Sequence, residues 1–175
     1  MAPLRLTSEH LALRALEPED LGVLYQCEND PAIWGEGSMI PPFSRYDLKQ
    51  YIANGQDIFA TRTLRLVVEQ KVDHQVVGMV DLFDFEPISQ RVEMGILIFD
   101  AFRGKGFAKE TVAMVRSYVF DFLRCHQLVA RANVKNVASV TLFNECGFES
   151  AGVLKDWVRD GDQWSDCEVF QLINR

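Results

Sequence analysis

The stretch FRGKGFAKET, residues 102–111, places Gly104 and Gly106 on either side of Lys105 at the mouth of an amphipathic pattern. Glycine has no side chain, so backbone N–H groups here can come close to a ligand, and a helix start adds unpaired donors and partial positive charge. That combination suits a phosphate. Arg103 and Lys105 carry the matching sign. Ala108, Val112, Val115, Val119, Phe122 and Leu123 then recur at three-to-four spacing, the apolar stripe of a helix. Two familiar nucleotide cradles are disfavoured: GxxxxGK[ST] is missing, and Lys109 stands where the third glycine of GxGxxG would fall. The plain alternative is a turn that happens to carry two glycines.

Two carboxylates offer a second kind of chemistry. Asp81 lies within VVGMVDLFDF and Glu93 within RVEMGILIF, each a charge inside an otherwise apolar strand pattern, and a short turn near Pro87 joins the two strands. A carboxylate in that setting can receive a proton in a cleft, or it can sit on the solvated face of its strand. Cys146 has no visible base and stands beside the helix-stopping Gly147, so packing suits it better than nucleophilic work. Cys27, Cys125, Cys146 and Cys167 show no CxxC spacing, and His10, His74 and His126 form no ligand pair. Disulfides and structural metal are therefore disfavoured, and a reduced, cytoplasmic protein is expected.

The elements that must position these groups follow from the rest of the chain. At 175 residues and 48% hydrophobic, one domain over residues 1–175 with an ample core is expected. A formal net charge of -7 disfavours a nucleic-acid partner and favours a cationic one. No run approaches membrane-spanning length, so no membrane partner is expected. LRLTSEHLALRAL reads as a strand or hairpin, and EPEDL opens a helix from Pro18 to about Glu28. Ser44 and Asp47 cap a second helix. Three strands from Leu64 onward, linked by turns near Asp73 and Pro87, should pair antiparallel. The glycine loop and its helix come next, then QLVARAN as a strand, a helix from Asn136 to Gly147, and two final strands paired around Asp160-Gly161. The class is α/β, with a mixed, mostly antiparallel sheet flanked by helices.

This order of elements resembles the GNAT acetyltransferase fold. Arg103, Gly106 and Ala108 meet the family's signature of Arg or Gln, two residues, Gly, one residue, Gly or Ala, and NVASVTLFNECGF, from Asn136 to Phe148, resembles its later Asn-to-Gly-Phe stretch. The resemblance implies acetyl-CoA as co-substrate. Its pyrophosphate would lie on backbone N–H groups from Gly104 through Lys105, Gly106 and Phe107 to Ala108, with Arg103 beside them. The pantetheine arm would pair with Ile96, Leu97 and Ile98 as an added strand. Asn136 and Phe143 belong to the cofactor-side motif, Asn136 with the bland alternative of a helix N-cap. Many members place a tyrosine acid where this chain has Phe143, so that role does not carry over.

Within the superfamily, RALEPEDL, ENDPAIW and GMVDLFDF resemble the spermidine N-acetyltransferase side of a branch shared with ribosomal-protein N-terminal acetyltransferases. The resemblance implies a small-molecule amine substrate such as spermidine, with Glu28, Asp30 and Glu36 around the substrate-facing loop, direct attack in a ternary complex, and Glu93 or Asp81 receiving the amine proton. Acylation of a protein N-terminus and a non-catalytic acyl-CoA sensor are the competing readings. Homo-oligomerisation is compatible with all three.

Overall fold

Alternating apolar residues in seven segments produce a single seven-stranded sheet in the computed structural model, which describes residues 6–31, 42–54, 57–160 and 162–175. The strands are β1 (Leu11–Ala15), β2 (Leu64–Gln70), β3 (Val76–Glu86), β4 (Arg91–Ile98), β5 (Gln127–Asn133), β6 (Glu149–Asp160) and β7 (Gln163–Ile173). Their order across the sheet is β1-β2-β3-β4-β5-β7-β6. Neighbours pair antiparallel except β4 and β5, which run parallel because a helical crossover joins them.

The helices follow their capping signals. Pro18–Asp20 forms one tight 3-10 turn, and α1 continues from it as Leu21–Glu28, so the expected first helix is split at Asp20. Ser44 caps α2 (Arg45–Ala53) by accepting from the Asp47 N–H. A four-residue α3 (Ile58–Thr61), capped by Asp57, was not anticipated, being too short to show a period. The crossover helix α4 (Phe107–Ser117) runs into a widened π turn, Tyr118–Phe122, and α5 (Val137–Glu145) ends before Gly147 at φ 85°. The π turn corrects the expected stripe: the extra residue shifts the phase, leaving Phe122 53% exposed while Phe120 is buried.

Strand alternation divides the interior into two layers. Leu66 and Val68 of β2, Val80 and Leu82 of β3, and Val92, Met94 and Ile98 of β4 join Phe107, Val112 and Val115 of α4 in the larger core. The intervening residues Val67 and Met79 point the other way, into a smaller core with Leu24, Cys27 and Leu48, against which Leu97 also packs. Burying each large aliphatic side chain stabilises the fold by about 1.5–3 kcal/mol, which fixes the register. Arg65, Asp81 and Glu93 are in step with Val67, Met79 and Leu97, so all three belong to the α1–α2 face.

The parallel ladder between β4 and β5 is short. It runs from Arg91–Gln127 to Met94–Ala130 and ends there, although both strands continue. β4 therefore carries Gly95–Ile98 beyond its β5 ladder while still paired with β3 on its other side.

Candidate functional site

The end of β4 past its β5 ladder leads into the glycine loop. A 3-10 turn at Asp100–Phe102 is followed by Gly104 at φ 73° and Gly106 at φ 83°, with Gly106 as the N-cap of α4. Both angles lie in the left-handed region that disfavours other residues. A Cβ placed on either glycine would meet nothing within 4 Å, so the space in front of this backbone is open. The helix begins with the Glu110 N–H donating to the Gly106 carbonyl, and the first-turn amides before it have no acceptor within the helix. The loop thus fits an anion held by main-chain donors and the helix dipole.

The two cations beside it are differently occupied. Arg103 Nε donates to the Ile98 carbonyl at 3.0 Å and its Nη2 lies 3.1 Å from Asp100 Oδ1, so this side chain braces the strand end. Lys105 Nζ stands 5.1 Å from the centre of the Phe102 ring. From behind, Glu110 ties the first turn of α4 to the start of β1: Ser8 Oγ donates to Glu110 Oε2 at 2.6 Å, and His10 Nδ1 is 2.7 Å from Oε1.

The carboxylates occupy the α1–α2 face beside the end of the parallel ladder. Glu93 is only 6% exposed, and its Oε2 lies 2.9 Å from Arg131 Nη2 of β5. Burial raises the Glu93 pKa above the ordinary glutamate value, Arg131 opposes the rise, and Asp84 adds to it. Asp84 occupies an irregularity in β3 at φ 50°, between the Phe83–Glu93 and Glu86–Arg91 pairs. Asp81, opposite Gly95, is engaged differently. Arg65 holds it in a fork, Nε to Oδ1 at 2.5 Å and Nη2 to Oδ2 at 2.8 Å, and Arg65 Nη1 also bonds Glu28 Oε1. Those bonds, with the Coulomb field of the two acids, outweigh desolvation and hold the guanidinium firmly protonated.

The remaining sequence-predicted residues fall as follows. Ile96, Leu97 and Ile98 form the end of β4 past its β5 ladder. Asn136 caps α5, its side chain accepting from the Ser139 N–H at 3.1 Å. Phe143 is 2% exposed, its ring 5.3 Å from that of Phe148 and 5.5 Å from that of Phe170. Glu28 ends α1 within the Arg65 cluster, Asp30 follows in an exposed turn, and Glu36 lies outside the described residues. Cys146 caps the end of α5, and burial raises its thiol pKa. Sequence reasoning missed Arg131 and Asp84. QLVARAN does contain the signal for Arg131, one charge in an apolar strand, but its pairing across a parallel ladder is not local. A cavity of about 440 Å³ lies beside α4, lined by Lys109, Ala113, Arg116 and Cys146 among others. Among the described residues no cluster of three His, Cys, Asp or Glu could hold a metal ion, and no helix is long and apolar enough to cross a membrane.

Residues 10–149 match the Acetyltransferase (GNAT) domain family. The chain is 31% identical to a spermidine N(1)-acetyltransferase of Vibrio cholerae, over 95% of this chain and 94% of that protein. The crystal structure of spermidine N-acetyltransferase from Vibrio cholerae in complex with CoA and spermine superposes with a TM-score of 0.84 at 27% identity, covering 95% of this chain and 96% of that one. A dodecameric structure of the Vibrio cholerae enzyme in an intermediate state gives 0.81 at 27% identity, covering 95% of each chain.

Proposed function

Because the chain belongs to the GNAT acetyltransferase family, we propose that it moves the acetyl group of acetyl-CoA to a primary amine of a polyamine such as spermidine, by direct attack in a ternary complex. The observation that carries this reading is a buried carboxylate, Glu93, beside the point where the β4–β5 ladder ends, on the strand that leads into a glycine-led helix start. The relative named for spermidine acetylation and the neighbour bound to CoA and spermine support the substrate class, as does the net charge of -7.

The proposed division of labour follows the geometry. Main-chain donors from Gly104 to Ala108 hold the pyrophosphate, Arg103 keeps the loop seated on the end of β4, and Ile96–Ile98 offer ladder groups to the pantetheine arm. Bound acetyl-CoA supplies a thioester that an amine can attack. A polyamine nitrogen of pKa ~10.4 arrives protonated at pH 7, and stripping that proton costs roughly 4–5 kcal/mol. Glu93 takes it, since burial and Asp84 raise its basicity while Asp81 has both oxygens on Arg65. The nitrogen's second proton leaves with the thiolate, whose modest basicity lets the chain work with Phe143 at the position where the family resemblance would place a tyrosine acid. Glu28 and Asp30 contribute negative charge on the acceptor side. We further propose that residues 1–175 form one catalytic unit, that it acts in the cytoplasm, where acetyl-CoA and reduced thiols are at hand, and that copies self-associate, as the dodecameric neighbour does.

A thiol-release assay with spermidine, spermine, aminoglycosides and short peptides tests the reading. Polyamines should turn over fastest, with added salt narrowing their lead over monoamines. Preference for a peptide N-terminus would replace the polyamine, and acetyl-CoA binding without release on any amine would make the protein a sensor.

A further inference from the structure

The ladder between β4 and β5 closes at Met94–Ala130, and Arg131 is the next residue on β5. It lies two positions beyond Val129, the partner of Glu93, and so shares Glu93's face while standing past the last paired position. Four paired positions already join the strands, so the ion pair is not needed to hold them together. Its effect falls on Glu93. The nearest approach of the pair is Arg131 Nη2 to Glu93 Oε2 at 2.9 Å. We infer that Arg131 is a positioning residue for acetyl transfer: its guanidinium reaches across the point where the ladder ends, tethers the Glu93 carboxylate, and so sets how that carboxylate meets the acceptor amine. This rests on the reading of Glu93 as the base.

The surrounding charges leave the counter-ion role to Arg131. Asp84 and Asp81 face this region from β3, Asp81 already forked by Arg65 of β2 with Glu28 of α1 on the same guanidinium. From β7 comes Cys167, buried at 4% exposure, whose thiol burial keeps neutral. Burial and Asp84 both favour the protonated carboxyl, and a protonated Glu93 cannot accept the amine proton. Arg131 supplies the opposing charge from a side chain that is itself 39% exposed. Removing it leaves the buried Glu93 carboxyl without its counter-charge, so the carboxyl takes up a proton more readily, and the Tm of each variant is read beside kcat to confirm folding. Arginine also fixes the direction of the carboxylate in a way a flexible ammonium does not.

The test measures kcat and KM with acetyl-CoA and spermidine from pH 5.5 to 10 in the native protein, Arg131→Gln, Arg131→Lys and Glu93→Gln. In Arg131→Gln the acid limb of kcat should move up by about one pH unit, so that kcat at pH values on that limb falls about tenfold and recovers at higher pH. KM for acetyl-CoA should stay within about twofold, because the phosphate loop is untouched. Arg131→Lys should return the limb to its native place with kcat only partly restored. A limb that stays put in Arg131→Gln, whether or not kcat falls, while Glu93→Gln loses it, would overturn the role of Arg131 and leave the base standing. A native limb in Glu93→Gln would remove both.

Discussion

Two carboxylate–guanidinium pairs lie on one face of the sheet, and they are built for opposite ends. Asp81 and Arg65 stand directly across the antiparallel β2–β3 ladder, close enough for a fork in which both carboxylate oxygens are taken. Glu93 and Arg131 meet diagonally across a parallel ladder at its end, where Arg131 Nη2 comes within 2.9 Å of Glu93 Oε2. Asp81's side chain is 36% exposed, whereas that of Glu93 is 8% exposed. The first pair gains two good hydrogen bonds and stiffens β2 against β3. The second holds a buried carboxylate, which costs stability and provides a base. The strand register, which sets whether the partner stands opposite or diagonal, separates a structural acid from a chemical one.

Activity should break the symmetry most strongly. Glu93→Gln is expected to lower kcat by ~10²–10⁴, the usual span for a lost general base, with KM for acetyl-CoA little changed. Asp81→Asn should keep kcat within about tenfold, since its oxygens are already engaged. Steady-state rates at saturating acetyl-CoA across pH 6 to 10 decide between them. A larger loss in Asp81→Asn would exchange the two roles.

Stability should reverse the ranking. Asp81→Asn deprives Arg65 of a charged fork and should cost about 1–3 kcal/mol in a denaturant titration. Glu93→Gln should instead raise Tm near neutral pH. Glu93's folded pKa lies above its unfolded value, so the native residue is at its most stabilising below the unfolded value of ~4.3, and that contribution is lost as pH rises through the folded pKa. Glutamine never ionises, so its advantage appears only above that window, at ~2–4 °C of Tm per kcal/mol for a chain of this size. A Tm gain that persists at pH 4 would have another origin.

The same contrast explains what the sequence could disclose. The glycine loop, the caps at Ser44 and Asn136, and all seven strands are written in short windows, because left-handed φ, side-chain caps and two-residue alternation are local requirements. Glu93 and Asp81 stood out for the same reason. Their partners did not: Arg65 lies 16 residues before Asp81 and Arg131 lies beyond a whole crossover helix, so only the folded register brings them in. The parallel sense of β4 and β5 and the short ladder between them were likewise invisible to alternation. Phe143 shows the reverse hazard. Its motif placed it with the cofactor, but the ring is enclosed by Phe148 and Phe170. Phe143→Tyr should change kcat by less than about tenfold, under about 1.4 kcal/mol of barrier, by the thiol-release assay.

The finest test of the comparison is Asp84, which acts on Glu93 without being its ion-pair partner. It is exposed, sits at φ 50° where β3 departs from regular pairing, and raises the Glu93 pKa against the pull of Arg131. Asp84→Asn removes a repulsive charge, so the ionised carboxylate becomes easier to form and the acid limb of kcat should move down by about half a pH unit, opposite in sign to Arg131→Gln. Because one of the two charges is exposed, the shift should shrink as ionic strength rises from 0.05 to about 0.5 M, where the Debye length falls below ~5 Å. The Asp81 pair offers a control: Asp81→Asn should leave the limb nearer its native place, since Arg65 neutralises that charge in the folded chain. A larger limb shift in Asp81→Asn than in Asp84→Asn would mean that the forked pair still governs the base, and the division between the two pairs would fail.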